Sequence, residues 1–108
     1  MPARINQGED IMASIGVVAT LTVAEGKNAD FEAAFAELMA AVAANEPGNE
    51  FYAAFRCKDN PQQYKVLERY ADQAALEAHG KSDHFRASGP KLASCMAAAP
   101  VIEYLDGF

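Results

Sequence analysis

The stretch that decides the fold runs from Tyr64 to Phe85 and reads YKVLERYADQAALEAHGKSDHF. Its first part, Tyr64 to Tyr70, is rich in β-branched and aromatic residues, which is typical of a strand. The spacing of apolar residues then changes and predicts a short helix from Gln73 to His79. A strand therefore leads directly into a helix. This junction carries most of the candidate chemistry, because the strand holds a carboxylate, Glu68, and the helix ends on an imidazole, His79.

Ahead of this stretch, the pattern predicts two strands and one long helix. The Val-, Ile- and Thr-rich run from Ser14 to Val23 predicts the first strand. Asn28 or Asp30 can cap the helix that follows, which ends at Asn45-Glu46-Pro47-Gly48 because proline cannot continue it. The alternating run from Glu50 to Lys58 predicts the second strand.

The second and third strands are predicted to form a hairpin with a longer loop. The turn Asp59 to Gln62 leads into the third strand, Gln63 to Tyr70, in which Glu68 shares a face with apolar neighbours. Asp72 can cap the short helix that follows, and Gly80 is expected to end it.

The last part of the chain is predicted to hold broken helical turns and a fourth strand. Ser82 can cap a segment from Asp83 to Ser88, which Gly89-Pro90 interrupts before final turns that reach Met96. Val101 to Leu105 predicts the fourth strand.

This order, β-α-β-β-α-β, predicts a ferredoxin-like α+β fold, in which both helical regions cover one face of a four-stranded antiparallel sheet. The other face is then bare. Because the second strand carries Phe, Tyr or Ala on both sides, we expect a second copy of the chain to cover that face in a two-fold homodimer.

Length, composition and charge exclude several classes of protein. The 108 residues fit one domain, assigned to 12–108, after a flexible arm or extension at 1–11. A net charge of −6 argues against nucleic acid as a partner, and no apolar run predicts a membrane span or a secretory signal, so we expect a cytoplasmic protein. Cys57 and Cys95 fit no metal or redox spacing and are expected to be free thiols.

Several short motifs together resemble the antibiotic biosynthesis monooxygenase (ABM) family. They are Glu68-Arg69-Tyr70-Ala71-Asp72, Ala75-Leu76-Glu77-Ala78-His79, Ser82-Asp83-His84-Phe85 and, ahead of the second strand, Glu46-Pro47-Gly48. Their order and spacing carry the resemblance, which covers about Met12 to Leu105. The central motif departs from the family at Tyr70, where a tryptophan is more usual, so a differently shaped pocket is expected.

The resemblance implies a dimeric α+β barrel but leaves the activity open. Some members oxygenate phenols or quinols without metal or flavin, some degrade haem, and one kind isomerises a phosphorylated autoinducer sugar. The asparagine, tryptophan and histidine that haem-degrading members use fall on Ala19, His79 and Gly89. Because the haem ligand is missing, haem degradation is not expected, and the resemblance to the cofactor-free members implies a reaction without a bound cofactor.

His79 and Glu68 are the candidate catalytic residues. His79 could act as a base, because imidazole titrates near neutral pH, or it could instead only stabilise the helix C-terminus. Glu68 could hold His79 or bind a substrate hydroxyl, with a pKa raised by burial, or it could be a structural carboxylate.

The candidate substrate-binding residues are aromatic, and each could equally be a core residue. They are Tyr70, Tyr52, Tyr64, Phe35 and Phe85. His84 is expected to be exposed. No metal site is expected, because His79 and His84 lie five apart in sequence and no carboxylate completes a recognisable ligand set.

The sequence thus favours a cofactor-independent monooxygenase that oxidises a quinol or another aromatic phenol with molecular oxygen. Two alternatives stay open. An autoinducer-type isomerase would need a basic cluster for a sugar phosphate, whereas the candidate cations are scattered at Arg56, Arg69, Lys81 and Arg86. A non-catalytic ligand-binding dimer would keep the fold without the chemistry.

Overall fold

A computed structural model describes residues 14–108, so the predicted arm at 1–11 lies outside the described residues. The elements, in chain order, are β1 (Ile15–Thr22), α1 (Asn28–Asn45), β2 (Asn49–Cys57), β3 (Asn60–Tyr70), α2 (Gln73–Lys81), α3 (Asp83–Ala93) and β4 (Val101–Asp106). This order confirms the ferredoxin-like α+β prediction, with two helices rather than one between β3 and β4.

The four strands form one antiparallel sheet in the order β2-β3-β1-β4. Val17 of β1 pairs with Glu68 of β3 on one side and with Tyr104 of β4 on the other. Partners in register share a face, so these side chains point to the same side of the sheet. That side is the one covered by the helices.

Helix α1 supplies most of the apolar side chains that pack on this covered face. Phe31, Phe35, Leu38 and Val42 recur three or four residues apart and are all nearly inaccessible to solvent. They meet buried side chains of β1 and β3 in a single core. The predicted inward face of this helix is therefore confirmed.

The predicted side-chain cap of α1 is wrong. The helix begins after Lys27 without a side-chain hydrogen bond at the cap. The amide of Asn28 instead donates to the carbonyl of Pro61 and to the hydroxyl of Tyr64, at 2.8 and 3.0 Å. Asn28 therefore bonds to two residues of β3 instead of capping its own helix.

The hairpin between β2 and β3 is tighter than predicted. Only Lys58 and Asp59 lie between the strands, and Cys57 pairs with Asn60. A shift in register next to Cys57 lets Pro61 lie in the strand, since a proline without an N–H is tolerated at such irregularities.

The predicted breaks at Gly80 and Gly89-Pro90 are also wrong. Helix α2 passes through Gly80 to Lys81, and α3 continues through Pro90 to Ala93. A proline normally excludes the helical conformation from the preceding residue through a clash with its Cβ. Gly89 has no Cβ, so the helix can continue.

The opposite sheet face is uncovered, and it carries large apolar side chains together with Lys65, Arg69 and Glu103. Its exposed apolar side chains come from β2, β3 and β4, and they are Phe51, Phe55, Leu67, Val101 and Leu105. We call this surface the bare face. Within the described residues, no helix is both long and apolar enough to cross a membrane.

Candidate active site

A cavity of about 930 Å³ lies between the covered sheet face and the three helices. Side chains from β1, β3 and β4 form its floor, and those of α2 and α3 form its walls. Most of the lining atoms are apolar, and no lysine or arginine among the described residues contributes to it. Its lining groups with acid–base chemistry near neutral pH are His79 and the carboxyl groups of Glu68 and Asp106.

His79 is the imidazole of this cavity, and it is 5% exposed. Its Nδ1 lies 3.0 and 2.9 Å from the two carboxylate oxygens of Glu46. The rings of Tyr52, Tyr70 and Phe85 surround it, with centroids 5.2, 5.4 and 4.7 Å away. The ring is therefore fixed in position by one charged partner and three aromatic ones.

The second ring nitrogen of His79, Nε2, makes no hydrogen bond to the described residues. Among residues 14–108, no fully buried side-chain nitrogen or oxygen lacks a partner. Nε2 is therefore accessible, and because His79 lines the cavity, a bound molecule can reach this nitrogen. With Nδ1–H donated to Glu46, Nε2 is left as a proton acceptor.

Glu46 reaches His79 because the turn after α1 packs closely on α2. Its backbone N–H donates to Val42 at the helix end, and the N–H of Ala71 donates to the carbonyl of Gly48. A Cβ added at Gly48 would lie 2.6 Å from the Cβ of Ala75, so only glycine allows this approach. The turn Glu46-Pro47-Gly48 thus positions the carboxylate.

His84 joins the same carboxylate from the start of α3. Its Nε2 lies 2.5 Å from Glu46 Oε2, and its side chain is 17% exposed, so the prediction that His84 is exposed is wrong. Ser82 sets the spacing between the two imidazoles. Its N–H and hydroxyl donate to the carbonyl of His79, and its oxygen accepts from the N–H of Phe85 to cap α3.

Glu68 contacts Tyr70 rather than His79. The Tyr70 hydroxyl donates to Glu68 Oε1 at 2.7 Å. Burial raises the pKa of Glu68, and this hydrogen bond partly offsets the rise. Burial also raises the pKa values of Tyr52 and Tyr70 far above their usual value, so both hydroxyls stay protonated at neutral pH.

Of the other site residues predicted from the sequence, three line this cavity and two do not. Tyr52, Phe35 and Phe85 line the cavity, with Tyr52 stacked on Phe35 at 5.3 Å. Tyr70 is fully buried behind His79. Tyr64 lies in a separate small cleft, where its hydroxyl donates to Glu32.

Glu46 is the residue of this cluster that sequence reasoning missed. We expected no carboxylate to complete a set with His79 and His84, and that prediction is wrong, because the ligand atoms of all three lie within 4.8 Å of one another. The Glu46-Pro47-Gly48 motif signalled a helix end. Its contact with His79 spans 33 residues of sequence, which no local pattern encodes.

The ABM family profile, described as antibiotic biosynthesis monooxygenase, matches residues 14–89. The chain belongs to this family. The matched region runs from β1 into the start of α3, and it includes Glu46, His79 and His84. Among curated proteins, none matches the ABM chain significantly.

Solved structures of similar chains share the ABM fold. A candidate antibiotic biosynthesis monooxygenase from Caulobacter crescentus CB15 is 47% identical over 96% of this chain and 98% of its own, with a TM-score of 0.87. A conserved protein from Methanosarcina mazei Go1 is 27% identical over 94% and 99%, with a TM-score of 0.86. SnoaB from Streptomyces nogalater, a cofactor-independent oxygenase, is 22% identical over 88% and 93%, with a TM-score of 0.76, which shows a shared fold.

Proposed function

We propose that this ABM protein is a cofactor-independent monooxygenase that oxidises a quinol or another aromatic phenol with molecular oxygen. The observation that carries the proposal is the position of the His79 ring. One ring nitrogen is held by Glu46, and the other opens on a largely apolar cavity. The similar fold of SnoaB, described as a cofactor-independent oxygenase, supports the same reaction class.

The first step is removal of the substrate's hydroxyl proton by Nε2 of His79. The imidazole becomes a cation, which the buried Glu46 carboxylate stabilises through Nδ1–H. In the neutral imidazole that donates Nδ1–H to Glu46, Nε2 carries the lone pair that accepts the proton. Glu46 is a positioning residue in this scheme, since it acts through His79.

Oxygen then reacts with the electron-rich ring. The phenolate places negative charge on a ring carbon, which forms a C–O bond with O₂ and gives a peroxide. Breaking the O–O bond, with loss of the proton on that carbon, leaves a carbonyl and releases hydroxide, which takes up the proton from His79 as water. A phenol and O₂ thus give a quinone and water, and the substrate supplies all the electrons.

The remaining cavity residues suit a flat aromatic substrate. Phe35, Tyr52 and Phe85 offer ring surfaces against which a flat substrate can pack. The pKa of Tyr52 is raised by burial, so its hydroxyl keeps the proton and can donate to the substrate's oxygen. The largely apolar lining offers the phenolate few hydrogen-bond donors, and a weakly solvated phenolate is more reactive toward oxygen.

An autoinducer-type isomerase is a poorer fit to this cavity. A sugar phosphate needs cationic partners, and no lysine or arginine of the described residues lines the space. Three of the candidate cations are instead paired elsewhere: Arg56 with Glu32, Arg69 with Glu50, and Arg86 with Asp83. The large open volume also supports a bound ligand over a cavity filled by its own side chains.

The homodimer is part of the same proposal. On the bare face, Phe51 and Phe55 are 46% and 52% exposed beside Leu67 and Leu105. Exposed large apolar side chains clustered in this way on one sheet face are unusual on a monomer. A second sheet packed on it would bury these side chains and leave the cavity on the outer side of each subunit.

The test is oxygen uptake together with quinone formation, measured with a panel of naphthols, anthrones and quinols. We expect turnover above the rate without protein, and a loss of at least about a hundredfold in His79→Ala. The assay contains a chelator, so that trace metals do not oxidise the substrates. Equal rates for the wild type and His79→Ala would remove His79 from the mechanism.

A matched control is Arg86→Ala, because Arg86 is exposed and its ion pair is with Asp83 on the same helix. This variant should keep the wild-type rate. No turnover with any member of the panel, from a protein that still binds these aromatics, would favour the non-catalytic alternative.

A further inference from the structure

Glu46, His79 and His84 bring three metal-ligand atoms to one point. They come from the end of α1, the last turn of α2 and the first turn of α3, and their ligand atoms all lie within 4.8 Å of one another. The side chains are 7%, 6% and 17% exposed. The end of α1, which is distant in sequence, therefore joins the neighbouring helices α2 and α3 around a largely buried cluster.

We propose that this cluster is a binding site for a divalent first-row transition metal such as Zn²⁺. Two imidazoles and one carboxylate are a donor set that suits Zn²⁺ and its neighbours, whereas Mg²⁺ and Ca²⁺ prefer oxygen donors alone. Three protein ligands leave further positions for water or a small anion.

The distances fit such an ion after small side-chain movements. Donor atoms around a tetrahedral zinc, bound at about 2.0 to 2.1 Å, lie about 3.3 to 3.4 Å apart. The nitrogens of His79 and His84 now lie 2.9 and 2.5 Å from Glu46 Oε2. The two imidazole nitrogens lie within 4.8 Å of each other, so side-chain rotations that bring all three separations to about 3.3 to 3.4 Å would admit the metal.

The supporting contacts already hold the two imidazoles in place. Ser82 bonds to the carbonyl of His79 and caps the helix that carries His84, so it fixes the relative position of both ligands. Glu46 is fixed by the turn that packs on α2. A ligand set held by such outer contacts loses less freedom when the metal binds.

Metal and proton compete for the same nitrogen of His79. A neutral imidazole carries one N–H, so a metal on Nδ1 moves that hydrogen to Nε2. Nε2 then faces the cavity as a donor and cannot accept a substrate proton. Zn²⁺ should therefore inhibit the oxidation, a consequence that rests on the proposed function, while metal binding itself does not.

The test is titration of chelator-treated protein with ZnCl₂ by calorimetry, against the variants His84→Ala and Glu46→Gln. We expect one Zn²⁺ per chain in the wild type and an affinity at least about tenfold lower in each variant. Glu46→Gln keeps the shape of the side chain, so this variant still tests metal binding if His84→Ala does not fold. Glu37→Gln, at an exposed carboxylate that pairs with Lys91, is the matched control and should bind as the wild type does.

Substituting Co²⁺ identifies the ligands directly. The chain has only two histidines, and its two cysteines, Cys57 and Cys95, are free. Co²⁺ at the proposed site should show visible bands without the near-ultraviolet band of a thiolate ligand, and these bands should vanish in His84→Ala. No binding at millimolar Zn²⁺, or equal binding by wild type and both variants, would overturn the proposal. Oxygen uptake in the presence of chelator tests the proposed function separately.

Discussion

Glu46 holds His79 by both carboxylate oxygens, at 3.0 and 2.9 Å from Nδ1, across 33 residues of sequence. Both side chains are almost inaccessible to solvent, at 7% and 6% exposure. A buried carboxylate needs polar partners, and two imidazoles provide them here. The same contact orients the imidazole toward the cavity, so one interaction serves stability and the proposed chemistry together.

Replacing Glu46 with glutamine should separate these two roles. The amide oxygen can still accept from Nδ1–H, but the neutral side chain no longer stabilises the imidazolium that forms during proton transfer. We expect kcat to fall by roughly tenfold or more, with a smaller change in KM. Initial rates of oxygen uptake across substrate concentrations measure both constants.

Glu77→Gln is the control for this change, because Glu77 is an exposed carboxylate on α2 whose partner is Gln73. It should leave kcat unchanged. If Glu46→Gln also kept its full kcat, Glu46 would have no part in catalysis.

Gly48→Ala should destabilise the fold by pushing the Glu46 turn away from α2. The new Cβ would lie 2.6 Å from Ala75 Cβ, and such overpacking costs about 1 to 3 kcal/mol. Urea unfolding followed by circular dichroism measures the loss. The double variant Gly48→Ala with Ala75→Gly removes the clash and should recover part of it, although glycine within α2 has its own cost. A single variant as stable as the wild type would show that the turn can move freely.

Glu68→Gln should change how stability depends on pH. Burial raises the pKa of Glu68 above its ordinary value of 4.5, so the folded state binds this proton more tightly than the unfolded chain does. That contribution to stability is complete below the ordinary pKa and is lost as pH rises through the raised one. Glutamine cannot ionise, yet its oxygen can still accept from Tyr70.

The free energy of unfolding of Glu68→Gln, relative to wild type, should therefore increase as pH rises above about 4.5 and then level off. Urea unfolding at a series of pH values measures this difference. The same series on Glu77→Gln, at an exposed carboxylate, is the matched control. A relative stability that falls with pH would mean that the Glu68 pKa is lowered on folding.

Phe55→Glu should dissociate the proposed dimer. Phe55 is 52% exposed at the bare face, and truncating an aromatic anchor of an interface costs about 2 kcal/mol or more, equivalent to roughly thirtyfold in affinity. Sedimentation velocity at micromolar concentration should show a dimer for the wild type and a lone subunit for this variant. Ala36→Glu, on the exposed side of α1, should remain dimeric. A wild-type monomer at micromolar concentration would refute the dimer.

Local patterns predicted most of the secondary structure. Three kinds of feature rest on residues within a few positions of one another, and all are confirmed. They are the strands around Val17 and Val66, the face of α1 that carries Phe31 and Phe35, and the caps at Asp72 and Ser82. Periodicity and capping depend on neighbouring side chains, so a single sequence suffices to recognise them.

The errors at Asn28 and His84 arose where a distant partner outweighed a local preference. Asn28 bonds to Pro61 and Tyr64 rather than to its own helix. His84 is partly buried because Glu46 comes to it from another element. None of these partners is within reach of a local pattern.

The sequence by itself determined the alternation of strands and helices, the apolar face of each, and the presence of an imidazole at the end of α2. Only the tertiary structure decided that Glu46, rather than Glu68, holds that imidazole, and that His84 completes the cluster. The physical reason is that hydrogen bonding acts within about 3 Å in space regardless of separation along the chain. Only folding brings the α1 turn, α2 and α3 to that distance.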